Sequence, residues 1–205
     1  MGRVFSDGVD GEAFLLRAVE DGYSMEQRLI EPATGLDISA ELKHNGYLED
    51  LTELVSTERL ASRGMKRTLQ LHGKLNKLIC KVENARHNYL PFFSVRVFEP
   101  GIHGTTIHRN HPAIGPYAVG VTLTGEAPFN VYEHDVLPDD EVRPLLGDGS
   151  DPVPMETMNA DAGSAWTLYT RHELQPHASG LVLSQERREL LIFYGMGDPA
   201  ICYDD

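Results

Sequence analysis

Residues 98–133 read FEPGIHGTTIHRNHPAIGPYAVGVTLTGEAPFNVYE, and the fold turns on how this stretch is read. Pro100-Gly101 signals a turn. The histidines His103, His108 and His111 follow close together, and a loop runs from Pro112 to Pro116. The run Tyr117–Leu123 (YAVGVTL) is apolar and β-branched, which predicts a buried strand. Thr124-Gly125 turns the chain, and Phe129–Glu133 alternates as the next strand. A histidine cluster therefore sits in a loop beside a β core. Imidazole is the commonest protein ligand for a transition metal, and a rigid strand pair can hold one.

Working outward, Phe92–Phe98 (FFSVRVF) alternates and is rich in strand formers. Strands are expected again at Ala165–Thr170, Gly180–Ser184 and Glu189–Tyr194. Residues 135–162 are acidic, carry Pro138, Pro144, Pro152 and Pro154, and read as a long loop. On the N-terminal side, Gly11–Glu20 has helical spacing and stops at Asp21-Gly22. Residues 23–47 are mixed, with Pro32 and Gly35 breaking any long element. From Leu48 to Asn88 the spacing is helical almost throughout. Leu51, Leu54 and Val55 form one apolar face, and Thr57 is placed to cap a second helix that includes Leu60, Met65, Leu69, Leu75 and Leu78. Helices followed by short strands predict an α+β domain whose second half is a β-sandwich or barrel.

A chain of 205 residues is enough for one domain with a sizeable core. The expected division is a mainly helical buttress over 1–90, a β core over 91–195 and a tail over 196–205. The net charge of −13 argues against duplex nucleic acid as a partner. Cys80 and Cys202 are far apart and imply no disulfide framework, which fits a reducing, cytoplasmic setting. No run approaches the ~18 apolar residues of a membrane span. Met1–Ser6 (MGRVFS) matches the loose myristoylation pattern, but no polybasic patch follows as the second anchor that stable membrane attachment needs.

With these residues placed, the second half resembles the double-stranded β-helix (jelly-roll) of the iron(II)- and 2-oxoglutarate-dependent oxygenases, especially the prolyl-hydroxylase-like group. That family shows a strand, a Pro-Gly turn, His-x-Asp, a later histidine, and an arginine opening the last core strand. Here Phe98-Glu-Pro-Gly101 precedes His108-Arg-Asn110, His172 lies in Arg171-His-Glu-Leu-Gln-Pro176, and Arg187-Arg188 opens Glu189–Tyr194. The resemblance covers residues 92–195 and makes the N-terminal helices packing helices outside the barrel. It implies Fe(II) held by His108, Asn110 and His172, and 2-oxoglutarate held by Arg188 through its distal carboxylate. Two histidines and a carboxylate leave three iron positions open for co-substrate and O₂. A guanidinium matches a carboxylate in a two-pronged ion pair.

The chain departs from that pattern at Asn110, where the family has a carboxylate. Asparagine offers a neutral oxygen and no charge against the metal. Three readings stay open: iron bound with Asn110 or water, a third ligand from His111 or Glu133, or a fold kept without catalysis. His177 is an alternative to His172; His172 is preferred because it fits the local phrase. Arg188 is preferred to Arg187 because it directly precedes the strand. The expected function is an oxygenase hydroxylating a small molecule or a peptidyl side chain. The alternatives are a non-catalytic binding protein and a cupin-type metalloprotein.

Overall fold

The computed structural model describes residues 5–46, 60–66, 73–86, 92–101, 106–109, 117–137, 142–146, 149–169, 175–182 and 185–194. Three helices and nine strands are described. They are α1 (Gly11–Asp21), β1 (Tyr23–Glu26), α2 (Pro32–His44), β2 (Leu60–Lys66), α3 (Gly73–Arg86), β3 (Phe92–Phe98), β4 (Tyr117–Thr124), β5 (Ala127–Val131), β6 (Glu156–Ala160), β7 (Ala165–Tyr169), β8 (His177–Ser179) and β9 (Arg188–Tyr194). The strands form two antiparallel sheets, one in the order β1-β7-β4-β9-β3-β2 and a smaller one in the order β6-β5-β8. This mixed helical and antiparallel arrangement is consistent with a jelly-roll.

Strand alternation gives the large sheet two apolar faces. Val95 and Val97 of β3, Val119 and Val121 of β4 and Leu191 and Phe193 of β9 face the helices. There they pack on Phe14 and Leu15 of α1, Ile38 and Leu42 of α2, and Leu78 and Val82 of α3. The intervening residues, among them Phe98, Ala118, Trp166, Leu190 and Ile192, meet Ala127, Phe129 and Val131 of the small sheet. The sheets are also joined at one side. Tyr23 on the edge strand β1 donates to Glu156 on β6 at 2.6 Å, and Gln27 donates to the Asn159 carbonyl at 2.7 Å.

Several expectations change. Leu60–Lys66 is not part of a helix. It is the edge strand β2, paired with β3 from Leu60↔Phe98 to Lys66↔Phe92. The free edge of β3 supplies a partner that no local pattern reveals. The Leu51 face and the Thr57 cap lie outside the described residues. Pro32 does not break the 23–47 segment but opens α2, where its missing N–H costs nothing. Gly35 sits inside that helix because a Cβ there would come within 2.7 Å of the Leu123 carbonyl oxygen of β4. The 135–162 segment contains β6; of the strand expected at 180–184, residues 183 and 184 lie outside the described residues, and the strand described in this region is His177–Ser179. The N-terminal region thus supplies both edge strands of the large sheet as well as the helices.

Candidate functional site

The space between the sheets holds the chemistry-bearing groups. Ile107 and His108 continue the small sheet beyond β8. His108 and His177 exchange backbone hydrogen bonds of 3.1 and 3.0 Å, and Ile107 pairs with Arg143. The narrow pairing sets the two imidazoles side by side, with ring centroids 4.4 Å apart and planes inclined at 52°.

Each ring has one nitrogen engaged. His108 Nδ1 lies 2.8 Å from the Thr106 carbonyl oxygen, and His177 Nδ1 lies 3.0 Å from that of Gln175. A carbonyl can only accept, so both Nδ1 atoms carry the proton and both Nε2 atoms keep a lone pair. Burial lowers the His108 pKa, the Thr106 bond opposes that shift, and the charge of Arg96 lowers it further. Burial pushes His177 well below the ordinary value, assisted by His108 and by Arg96, while its bond to Gln175 opposes the shift. Both rings are therefore neutral near pH 7, the form that binds metals.

These residues fit a metal. Two imidazoles bound to one ion at right angles, with ~2.0–2.1 Å bonds, have centroids about 4.5 Å apart. Among the described residues no third His, Cys, Asp or Glu completes the set. Asn110, His111 and His172 lie outside the described residues, and Glu133 is described and exposed.

Arg188 is the second element of the site. It is the first residue of β9 and is fully buried, with 0% of its surface exposed. It donates to Ser179 Oγ on β8 and, at 3.3 Å, to Thr122 Oγ1 on β4, and its guanidinium lies 5.7 Å from the Phe98 ring centroid. Its Nε has no partner, and among the described residues no carboxylate pairs with it. Burial pushes its pKa down to about 10, so it stays charged at neutral pH. Gly125, at φ +72°, brings a turn against its backbone, where a Cβ would meet Arg188 Cα at 2.7 Å. Arg187 points elsewhere and grips Glu99 at 2.7 and 3.0 Å.

Aromatic groups wall the histidines. Trp166 stacks on Phe129 at 4.7 Å between centroids, and the two rings lie 6.1 and 5.8 Å from His177. Gly120, opposite Trp166 in the register, leaves room for the indole; a Cβ there would come within 2.2 Å of it. The Trp166 Nε1 is buried without a partner. Sequence reasoning passed over Trp166, Thr122 and Ser179, whose placement depends on register. It also passed over Arg96, although a charge at every-other-residue spacing in FFSVRVF was a readable signal.

No protein-family model matches the chain, and no curated protein matches it. Solved structures do. A prolyl-4-hydroxylase from Pseudomonas putida superposes with a TM-score of 0.60 at 10% identity, over 91% of this chain and 100% of that one. HygX from Streptomyces hygroscopicus, solved with nickel and 2-oxoglutarate bound, gives 0.60 at 12%, over 93% and 88%. A prolyl hydroxylase from Trichoplax adhaerens, in complex with a hypoxia inducible factor peptide fragment, gives 0.59 at 7%, over 95% and 92%. At such identities the likeness is one of fold.

Proposed function

We propose that the two sheets form a double-stranded β-helix and that the protein is an Fe(II)- and 2-oxoglutarate-dependent oxygenase acting on a small molecule or a peptidyl side chain. One observation carries the reading. Among the described residues, a fully buried guanidinium without a counter-charge shares an interior with two neutral histidines whose Nε2 atoms have no partner. A buried charge is costly unless it is paired, and a dicarboxylate beside a metal would pair it.

In this reading His108 and His177 hold the metal, and Asn110, two residues past His108, offers a neutral oxygen or orients a bound water. Choosing His177 over His172 follows from its contact with His108. The Thr106 and Gln175 carbonyls fix the tautomers that present Nε2. Arg188 holds the distal carboxylate of 2-oxoglutarate, with Ser179 and Thr122 fixing the plane of the guanidinium. Trp166 and Phe129 exclude water from one side of the histidines. Bound Fe(II) and 2-oxoglutarate would supply the O₂-dependent oxidation of a C–H bond, with release of succinate and CO₂.

The test is calorimetric binding of Mn(II) and 2-oxoglutarate, with succinate formation under Fe(II) and O₂. His177→Ala is expected to abolish metal binding, whereas His172→Ala keeps it. The reverse result moves the second ligand to His172. A second reading, a binding protein of the same fold without catalysis, is favoured by Asn110. Asn110→Asp separates the two. In an oxygenase the added charge tightens metal binding. In a binding protein neither form responds to metal, and the aspartate lowers the melting temperature as an unpaired buried charge.

A further inference from the structure

Arg96 is a second cation in the same interior that the reading above does not use. Along β3, Val95 and Val97 face the helices, so Ser94, Arg96 and Phe98 face the small sheet. The register agrees. Arg96 lies opposite Leu190, and Phe98 opposite Arg188, both on the inter-sheet face of β9. Arg96 and Arg188 are therefore diagonal neighbours on adjacent strands, a relation that sets Cα atoms ~7–8 Å apart. The Nε of Arg96 is buried without a partner, and among the described residues no carboxylate pairs with the guanidinium. Its charge also reaches both histidines. Two guanidiniums thus share the inter-sheet face with the histidine pair, and no protein anion is described between the two arginines.

We propose that Arg96 recognises the substrate itself, and that this substrate is a small molecule carrying a carboxylate. The proposal rests on the oxygenase reading of the interior. Charge balance motivates it. A divalent metal and two guanidiniums outweigh the two carboxylates of 2-oxoglutarate, and Asn110 adds no negative charge where the resemblance expects one. Among the described residues none supplies a further anion, and the substrate is a ligand that can bring one. A carboxylate suits the position better than a phosphate dianion. The desolvation cost of an ion rises steeply with its charge, and one guanidinium balances one negative charge.

Trp166, the only tryptophan of the chain, lies in this interior and reports binding through its fluorescence. The probes are 2-oxoglutarate with Mn(II), propionate as a monocarboxylate, and inorganic phosphate, titrated into wild type, Arg96→Leu, Arg96→Lys and Arg188→Leu. Wild type is expected to bind 2-oxoglutarate and propionate together, with phosphate weaker than propionate. Arg96→Leu should weaken propionate about 30-fold or more. It should shift 2-oxoglutarate by only about twofold, the residual coupling between separate sites. Arg96→Lys should recover part of the propionate response, and Arg188→Leu should lose 2-oxoglutarate alone. Arg96→Leu should melt no lower than wild type, since among the described residues no carboxylate pairs with the charge it removes. Propionate that competes one-for-one with 2-oxoglutarate, or binds Arg96→Leu unchanged, overturns the proposal. If 2-oxoglutarate fails to bind wild type while propionate still depends on Arg96, the oxygenase reading fails and the anion site stands.

Discussion

Arg188 and Glu189 are neighbours on β9, buried on opposite faces of one sheet, and they are treated in opposite ways. Glu189 faces the helices. Its Oε2 accepts from Ser39 of α2, and its Oε1 lies 3.1 Å from Lys43 Nζ on the same helix. That charge is neutralised and ties α2 to the sheet. Arg188 faces the small sheet, and among the described residues its partners are two hydroxyls, with no counter-charge and an idle Nε. A structural charge is paired within the chain, because an unpaired buried charge is costly. A charge left unpaired in a water-poor interior marks a place for a ligand.

The sharpest way to break this contrast is Arg188→Met. Loss of the guanidinium should weaken 2-oxoglutarate binding by about 2–5 kcal/mol, measured by calorimetry in the presence of Mn(II). The ligand-free variant should melt no lower than wild type, because the replaced charge has no counter-charge among the described residues and the two hydroxyls it leaves can pair elsewhere. A clear drop in melting temperature with unchanged 2-oxoglutarate affinity would make Arg188 as structural as Glu189.

Next in size is Gly120→Ala on the same inter-sheet face. Its new methyl would meet the indole of Trp166 within 2.2 Å. Overpacking of this kind costs about 1–3 kcal/mol. The measurement is chemical denaturation followed by tryptophan fluorescence, and the indole's displacement should also change the native emission. Native emission and midpoint both unchanged would mean the sheets part more easily than their packing implies.

On the helix face, Lys43→Met should cost less, about 1–2 kcal/mol, because Lys43 is 57% exposed and solvent screens its charge. Glu189 would then rely on Ser39 alone. A double-mutant cycle with Glu189→Gln measures the coupling, and zero coupling would remove the pair from the account of how α2 is held.

The smallest effect lies at the seam between the two sheets. Burial, and then the Glu156 carboxylate that accepts its hydrogen bond, push the Tyr23 phenol from 10.0 up to about 12. The folded value exceeds the ordinary one, so the contribution is complete below pH 10 and is lost as pH rises toward 12. Melting temperature should fall across that window more steeply in wild type than in Tyr23→Phe. Parallel profiles would show that the phenol does not tie the seam.

The sequence by itself carried what local pattern can carry. Alternation marked β3 and β5, and apolar strand-forming runs marked β4, β7 and β9, because a strand buried on two faces must be apolar along its length. Helical spacing marked α1, and the Pro100-Gly101 turn with the nearby histidines marked the region of the site. Arg188 was legible through the resemblance, which places an arginine where the last core strand opens, and through its position directly before the apolar run. Tertiary structure decided the rest. Only pairing with β3 makes Leu60–Lys66 a strand, since its short apolar pattern suits a helix as well. Only the backbone bridge between His108 and His177 sets their rings 4.4 Å apart. Spacing along the chain does not encode which residues meet across a sheet. Register does, and register comes from long-range hydrogen bonds and the packing of two faces at once.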